Sequence, residues 1–439
     1  MNKLKMKYRT FVLLLVGMVM NACIEPFELE NNVIESALVV EATITDETKQ
    51  HVVKLSRAYE LESELEKLES NAQVKVVEDG AAEYLFQETE PGTYKAIQAF
   101  AANAGSNYVL LITTADGSMY TSDSETTPEK VPITKLYVER GVNDLGEEGV
   151  SILLDNESPA GEPKYFRYQF EETYKIVAPN WSPFEYDIIN DDLYNPEFYQ
   201  AGLGGYFIVG LKEEEEPRRI CYNTIRSSDI KQVSTASLSE NTISKFPVRF
   251  LNRENYIISH RYSNLVTQYT QTPEAFFYFQ KLNDFASSES VFTDIQAGFL
   301  EGNVKSINNK DEKVIGYFEV AAVDRKRLYF NYADLFPDES LPKYPITCDL
   351  DLDITLYHEA FHAGFNGRNG EWVCDTACYS PLINAIKEGS IAYSQTKPGY
   401  EGVNMADLAY VAPFLSKARG CVDCRALGSN VKPDFWEDE

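Results

Sequence analysis

From Ala37 onward the chain breaks into short runs in which apolar residues recur at every second position. That is the period of a half-buried strand. Ala37–Ile44, His51–Ser56, Gln73–Glu78, Glu83–Phe86, Thr93–Ile97, Asn107–Thr113 and Ser118–Thr121 follow one another, with Asp79-Gly80, Pro91-Gly92 and Asp116-Gly117 as turn signals between some of them. Strands of this length and spacing predict a β-sandwich of the immunoglobulin or fibronectin kind over residues 34–128. Glu60–Ser70 is a charged insert of mostly helical propensity, and His51, next to a polar turn, is expected at the surface.

Two prolines and mixed polarity between Thr126 and Pro132 mark a boundary. A second β domain is predicted over 129–334. Its strands are Ile133–Glu139, Val150–Leu154, Tyr165–Val177, Tyr206–Leu211, Arg219–Thr224, a long one from Asn255 to Tyr269, Val314–Val323 and Arg327–Asn331. Glu213–Glu216 reads as a solvated hairpin tip. Thr272 followed by Pro273 is a helix start, and the run through Phe276, Phe277, Phe279, Leu282 and Phe285 places a short helix near 273–286. His260 reads as a packed residue rather than a ligand. Between Ala178 and Gly205 lies a long loop carrying Trp181, Phe184, Tyr186, Tyr194, Phe198 and Tyr199. Such a loop is either a flap packed on the sheet or an exposed binding surface.

Past Asp334 the pattern loosens, apart from a helix capped by Ser380 and ended by Glu388-Gly389. Residues 335–439 are therefore expected to form an irregular lobe. Six cysteines besides Cys23 are present, and five of them, Cys348, Cys374, Cys378, Cys421 and Cys424, lie in this lobe, with Cys221 outside it. An even set in an exported chain reads as disulfides that staple a weak core. Cys374 with Cys378, and Cys421 with Cys424, are expected to pair locally or across the lobe, with Cys348 and Cys221 linked to the lobe or to each other. The same spacings also admit a four-thiolate zinc site.

The N-terminus reads differently. Lys3, Lys5, Lys7 and Arg9 precede the apolar run Phe11–Met20, which is too short for a permanent span and fits a secretory signal over residues 1–22. Met20-Asn21-Ala22-Cys23 resembles the lipobox of bacterial lipoproteins, which implies that Cys23 is acylated and anchors the mature chain to a membrane. Residues 23–33 are then an acidic tether. An acidic patch in that place resembles the surface-export signal of Bacteroidota lipoproteins, which implies an outer-membrane protein facing the exterior.

Composition narrows the function classes. The 439 residues carry a net charge of −28, with 44% hydrophobic and 13% aromatic residues. The aromatic content belongs to a folded, mainly β chain of more than one domain. The charge works against nucleic acid, whose phosphates need Lys and Arg. It also works against adhesion to anionic lipid, which leaves attachment to the anchor.

Several short stretches together resemble the lipoprotein family called domain of unknown function 4249. They are Cys23–Phe27, Leu38–Asp46, Val53–Arg57, Pro91–Tyr94, Tyr256–Tyr278, Val314–Phe318, Cys421–Arg425 and Pro433–Trp436. The resemblance covers nearly the whole mature chain and is weakest over 349–420. It implies an accessory partner of a TonB-dependent receptor in nutrient uptake. It implies no catalytic residues and no particular ligand.

One motif points elsewhere. His358-Glu359-Ala360-Phe361-His362 has the H-E-x-x-H form, which on a helix sets two imidazoles on one face to hold zinc while the Glu polarises a bound water. Glu388 is the candidate third ligand. This reading implies a zinc-dependent hydrolase with Glu359 as catalytic residue. Against it stands the alternation of Cys348–Leu356, which places the motif at the end of a strand, with the histidines structural or facing solvent.

Overall fold

The computed structural model describes residues 37–58, 67–158, 164–201, 205–238, 240–287, 300–359, 361–366, 371–402, 404–408 and 411–438. The expected signal over 1–22, Cys23 with the expected tether, and most of the Glu60–Ser70 insert lie outside these residues. Lys67–Leu68, the end of that insert, is strand rather than helix. No helix among the described residues is long and apolar enough to cross a membrane.

The first β unit contains β1 (Leu38–Thr45), β2 (Val52–Arg57), β3 (Lys67–Leu68), β4 (Gln73–Glu78), β5 (Ala82–Glu90), β6 (Thr93–Ala96), β7 (Asn107–Thr113), β8 (Met119–Ser122) and β9 (Glu125–Thr126). The alternation acts as expected. In β4, Val74, Val76 and Glu78 are buried while the residues between them are more accessible. The inward rows of these strands build one core around Leu38, Ile44, Leu55, Tyr94, Tyr108, Leu110 and Tyr120. His51 belongs inside: it is 1% exposed, and its Nε2 lies 3.0 Å from the Phe100 carbonyl oxygen, which overturns the surface placement. The turn before it is polar, but the residue itself sits at the mouth of β2, where Phe100 folds over it with ring centroids 4.7 Å apart.

Next come β10 (Ile133–Val142), β11 (Glu148–Glu157), β12 (Tyr165–Val177), β13 (Phe184–Asn190), β14 (Ile208–Glu213), β15 (Ile220–Arg226), β16 (Lys231–Ser234), β17 (Thr242–Asn252) and β18 (Arg261–Gln271). Strands β10, β11 and β17 form a three-stranded sheet. It faces β12, β15 and β18 across two cores, one with Val150, Ile152 and Leu251 against Ile176 and Tyr262, the other with Leu154, Ile243 and Val248 against Phe166 and Val266. The long strand expected from Asn255 begins only at Arg261; Asn255 instead caps a 3-10 turn over Tyr256–Ile258, its side chain accepting from Ile257 N–H. The helix after Thr272 runs over Pro273–Ser287.

Two late segments tie the units together. β19 (Val304–Ser306) pairs with β8, and β20 (Val314–Asn331) is one strand of 18 residues where two were expected. Its first half runs parallel to β1, from Leu38↔Val314 to Thr45↔Ala321. Its second half runs antiparallel to β18, from Thr270↔Ala322 to Arg261↔Asn331. The two β units thus share one sheet, in the order β15-β12-β18-β20-β1-β2-β6-β5-β4-β7-β8-β19. A bridge between Glu301 and Ile315 brings the chain ahead of β19 back to β20, so the first unit closes on itself.

The closure is tight. A Cβ on Gly302 would lie 1.6 Å from the Gly316 carbonyl oxygen, and one on Gly316 (φ +112°) would lie 1.9 Å from that of Val40. Only glycine permits both the approach and the dihedral.

The remaining elements are β21 (His362–Asn366), β22 (Glu371–Thr376), the helix Pro381–Lys387 capped by Ser380, β23 (Ile391–Thr396) and β24 (Phe414–Ala418). Their core is shared with the aromatic loop. Tyr186, Leu193, Phe207 and Val209 pack with Leu356, Leu382, Ile383, Ile391, Tyr393 and Phe414. The 178–205 region therefore divides: Ala178 and Trp181 stay on the core beneath β12 and β15, while β13, paired with β14, and Leu193 pack on the C-terminal lobe.

Three disulfides staple this region: Cys221–Cys424, Cys348–Cys421 and Cys374–Cys378. The last is local. Cys421 and Cys424 do not pair with each other or with Cys374 and Cys378; they reach Cys348 and β15 instead.

Candidate functional site

The H-E-x-x-H motif does not lie on a helix. Leu356 and Tyr357 form a bend, the Phe361 N–H donates to the His358 carbonyl at 2.8 Å, and His362 opens β21 opposite Thr376. The apolar residues of this stretch decide its path, because Leu356 and Phe361 turn into the lobe core. The His358 ring lies 5.0 Å from that of Tyr379, and Glu359 is exposed. Glu388 caps the C-terminal end of the Pro381 helix and is exposed. Ala360 and the His362 side chain lie outside what is described. No group of three potential metal ligands occurs among the described residues. Among the described residues the motif presents no helical face, and the six thiols outside the N-terminal segment are paired as disulfides.

Polar chemistry gathers instead where the two β units and the Pro273 helix meet. The strand β12 carries Arg167, 5% exposed, and β20 carries Glu319, 0% exposed. Arg167 Nη2 donates to Glu319 Oε2 at 2.6 Å. Thr43 Oγ1, from β1, donates to the same oxygen at 3.1 Å, and Gln271 Nε2 donates to Oε1 at 2.5 Å. One carboxylate therefore collects donors from β1, β12 and the end of β18. The guanidinium lies between two rings, with its carbon 4.1 Å from the Tyr269 centroid and 4.6 Å from that of Phe279.

Above this pair opens a cavity of about 640 Å³, lined among others by Thr43, Lys49, His51, Lys54, Gln169 and Leu282. Burial, reinforced by nearby Lys49, pulls the His51 imidazole down to about 4, so it is neutral at ordinary pH.

A second cavity, of about 520 Å³, lies beside Glu125, Thr272, Glu274 and Asn303. Tyr278 and Tyr317, with ring centroids 4.8 Å apart, line both cavities. Glu125 accepts from the Tyr317 hydroxyl at 2.5 Å, from Asn303 Nδ2 at 3.0 Å and from Thr272 Oγ1 at 3.1 Å. Burial pushes its carboxyl above the ordinary range, against those three donors. Asn303 also pairs with β20 like a strand, its amide donating to the Phe318 carbonyl at 2.9 Å and accepting from the Phe318 N–H at 2.8 Å.

The sequence held one signal for this junction. Glu319 is a lone charge inside Val314–Val323, and a charge buried in an apolar strand needs a partner. Nothing in the sequence identified Arg167 as that partner, and Glu125 lies in a polar stretch with no pattern.

These features describe a β-rich scaffold with a cleft at its seam. A family model described as Domain of unknown function (DUF4249) matches residues 24–327, and the chain belongs to that family. The matched span ends within β20, so the C-terminal stretches that resembled the family, Cys421–Arg425 and Pro433–Trp436, lie beyond it. No curated protein matches the chain.

Proposed function

We propose that this chain is an outer-membrane lipoprotein, anchored through acylated Cys23 and facing the cell exterior, that serves as binding partner of a TonB-dependent nutrient transporter. The observation that carries the reading is positional. The family match begins at residue 24, immediately after the cysteine that the lipobox would make the first residue of the mature chain. The first described strand begins at Leu38, which leaves a short acidic stretch to join anchor and fold. The described chain accords with this in offering a cleft between strands of its two β units.

Metabolic labelling with a radioactive fatty acid tests the anchor. The wild-type protein takes label and fractionates with the outer membrane, whereas Cys23→Ser takes none and leaves that fraction. Label on the variant, or wild-type protein free in the periplasm, contradicts the reading.

A further inference from the structure

The cleft over Arg167 is unusual for its charge. The chain as a whole carries −28, yet the ionisable residues around this cavity include the cations Lys49, Lys54 and Arg167 against the single anion Glu41, with His51 neutral. Glu319 beneath the floor balances Arg167. Lys49 lies 2.9 Å from Glu47, while Lys54 is exposed and makes no ion pair among the described residues.

Arg167 is also underused. A guanidinium has five N–H donors in a rigid fork, and here, among the described residues, the one hydrogen bond it makes is from Nη2 to Glu319. The buried Nε–H has no partner among the described residues. Buried donors are ordinarily satisfied, and a purely structural ion pair between strands would be expected to use them. The cavity volume, about 640 Å³, lies in the range of small-molecule sites. Its walls provide an apolar flank, with Phe279 half-buried and Leu282 36% exposed on the Pro273 helix.

We propose that the cleft between β1, β2, β12 and the Pro273 helix binds a small carboxylate-bearing ligand, held by the Arg167 fork and the rim lysines Lys49 and Lys54, with its apolar side on Phe279 and Leu282. A carboxylate is the group that matches a planar fork of donors, and charge-assisted bonds to it are the strong ones. Acidic sugars and peptide C-termini both carry this group. The inference gives a cargo chemistry to the accessory role and rests on that role for its setting only.

Calorimetry on the full chain in detergent, without any receptor, tests it with matched probes. These are D-galacturonate against D-galactose, and alanyl-phenylalanine against its C-terminal amide. The acid of at least one pair binds, its neutral partner binds at least about tenfold more weakly, and the difference shrinks with salt. Binding of galacturonate alone assigns acidic sugars, of the dipeptide alone assigns peptide termini, and of both assigns the carboxylate itself. Lys54→Glu, an exposed change that leaves the fold intact by circular dichroism, weakens the bound acid at least about fivefold. Arg167→Lys, which keeps the charge and loses the fork, weakens it further. Equal binding of acid and neutral partners, no binding of either acid, or indifference to Lys54→Glu overturns the inference. Recovery of a receptor with the same protein would leave the proposed role standing in each of those cases.

Discussion

Arg167 and Glu319 meet at 2.6 Å with almost no contact with water, so each is tolerable only because of the other. Glu319→Gln leaves the guanidinium buried without a counter-charge and is expected to lower unfolding free energy by about 3–5 kcal/mol in urea titrations. The double change Arg167→Met with Glu319→Leu removes both charges and should recover most of that loss; a double variant as unstable as the single would refute the pairing argument. His51 gives a pH dependence whose sign follows from its neutral burial. Its folded value of about 4 lies below the ordinary 6.5, so the unfolded chain binds the extra proton between those values. The stability it contributes, roughly 3 kcal/mol from that shift, is complete above pH 6.5 and is lost as pH falls towards 4. His51→Gln should flatten the wild-type decline in urea midpoint over that window; an unchanged slope would show that the decline has another source. Single residues were the hardest feature to read in the sequence. A polar turn hid a buried histidine because burial there depends on Phe100, and only Glu319 announced itself by being out of place.

At the scale of elements, alternation placed most of the strands it predicted to within a residue or two, and Gln73–Glu78, Asn107–Thr113 and Tyr165–Val177 have the bounds that the pattern gives, while Thr242–Asn252 and the strands of the C-terminal lobe were not predicted. It could not reveal that β20 is continuous. Asp324, Arg325 and Lys326 interrupt the apolar run where the strand passes from one unit to the other, and a change of buried face looks like an end. Nor could it reveal the parallel pairing with β1, which joins residues from opposite ends of the matched region. That seam depends on Gly302 and Gly316. Gly316→Ala sets a Cβ against the Val40 carbonyl at a positive φ and is expected to cost about 2 kcal/mol or more in thermal unfolding measurements. Gly80→Ala serves as control: it shares the positive φ but meets nothing within 4 Å, so it should cost less. Equal losses would mean that close packing at the seam contributes nothing.

At the scale of the molecule, the lobe after residue 335 was expected to be weak and Cys-stapled, and disulfides do lie there. What the sequence concealed is that the lobe borrows its core from the β13–β14 hairpin. The aromatics of that loop had two readings because periodicity says nothing about which distant surface receives them. Reduction should therefore loosen residues 184–213 together with 335–439 and spare the first β unit. Removing Cys221–Cys424 by the double change to Ser is expected to cost about 2–5 kcal/mol. Hydrogen exchange on reduced protein checks the pattern: slow exchange retained in 184–213 while the lobe opens would contradict the shared core.

The measurement closest to the central claim is isolation of the native protein from outer membranes in mild detergent, with mass spectrometry of what accompanies it. The account predicts a TonB-dependent receptor in near-stoichiometric amount, retained through washing and lost when Cys23→Ser removes the anchor. Recovery of the anchored protein without such a receptor would contradict it.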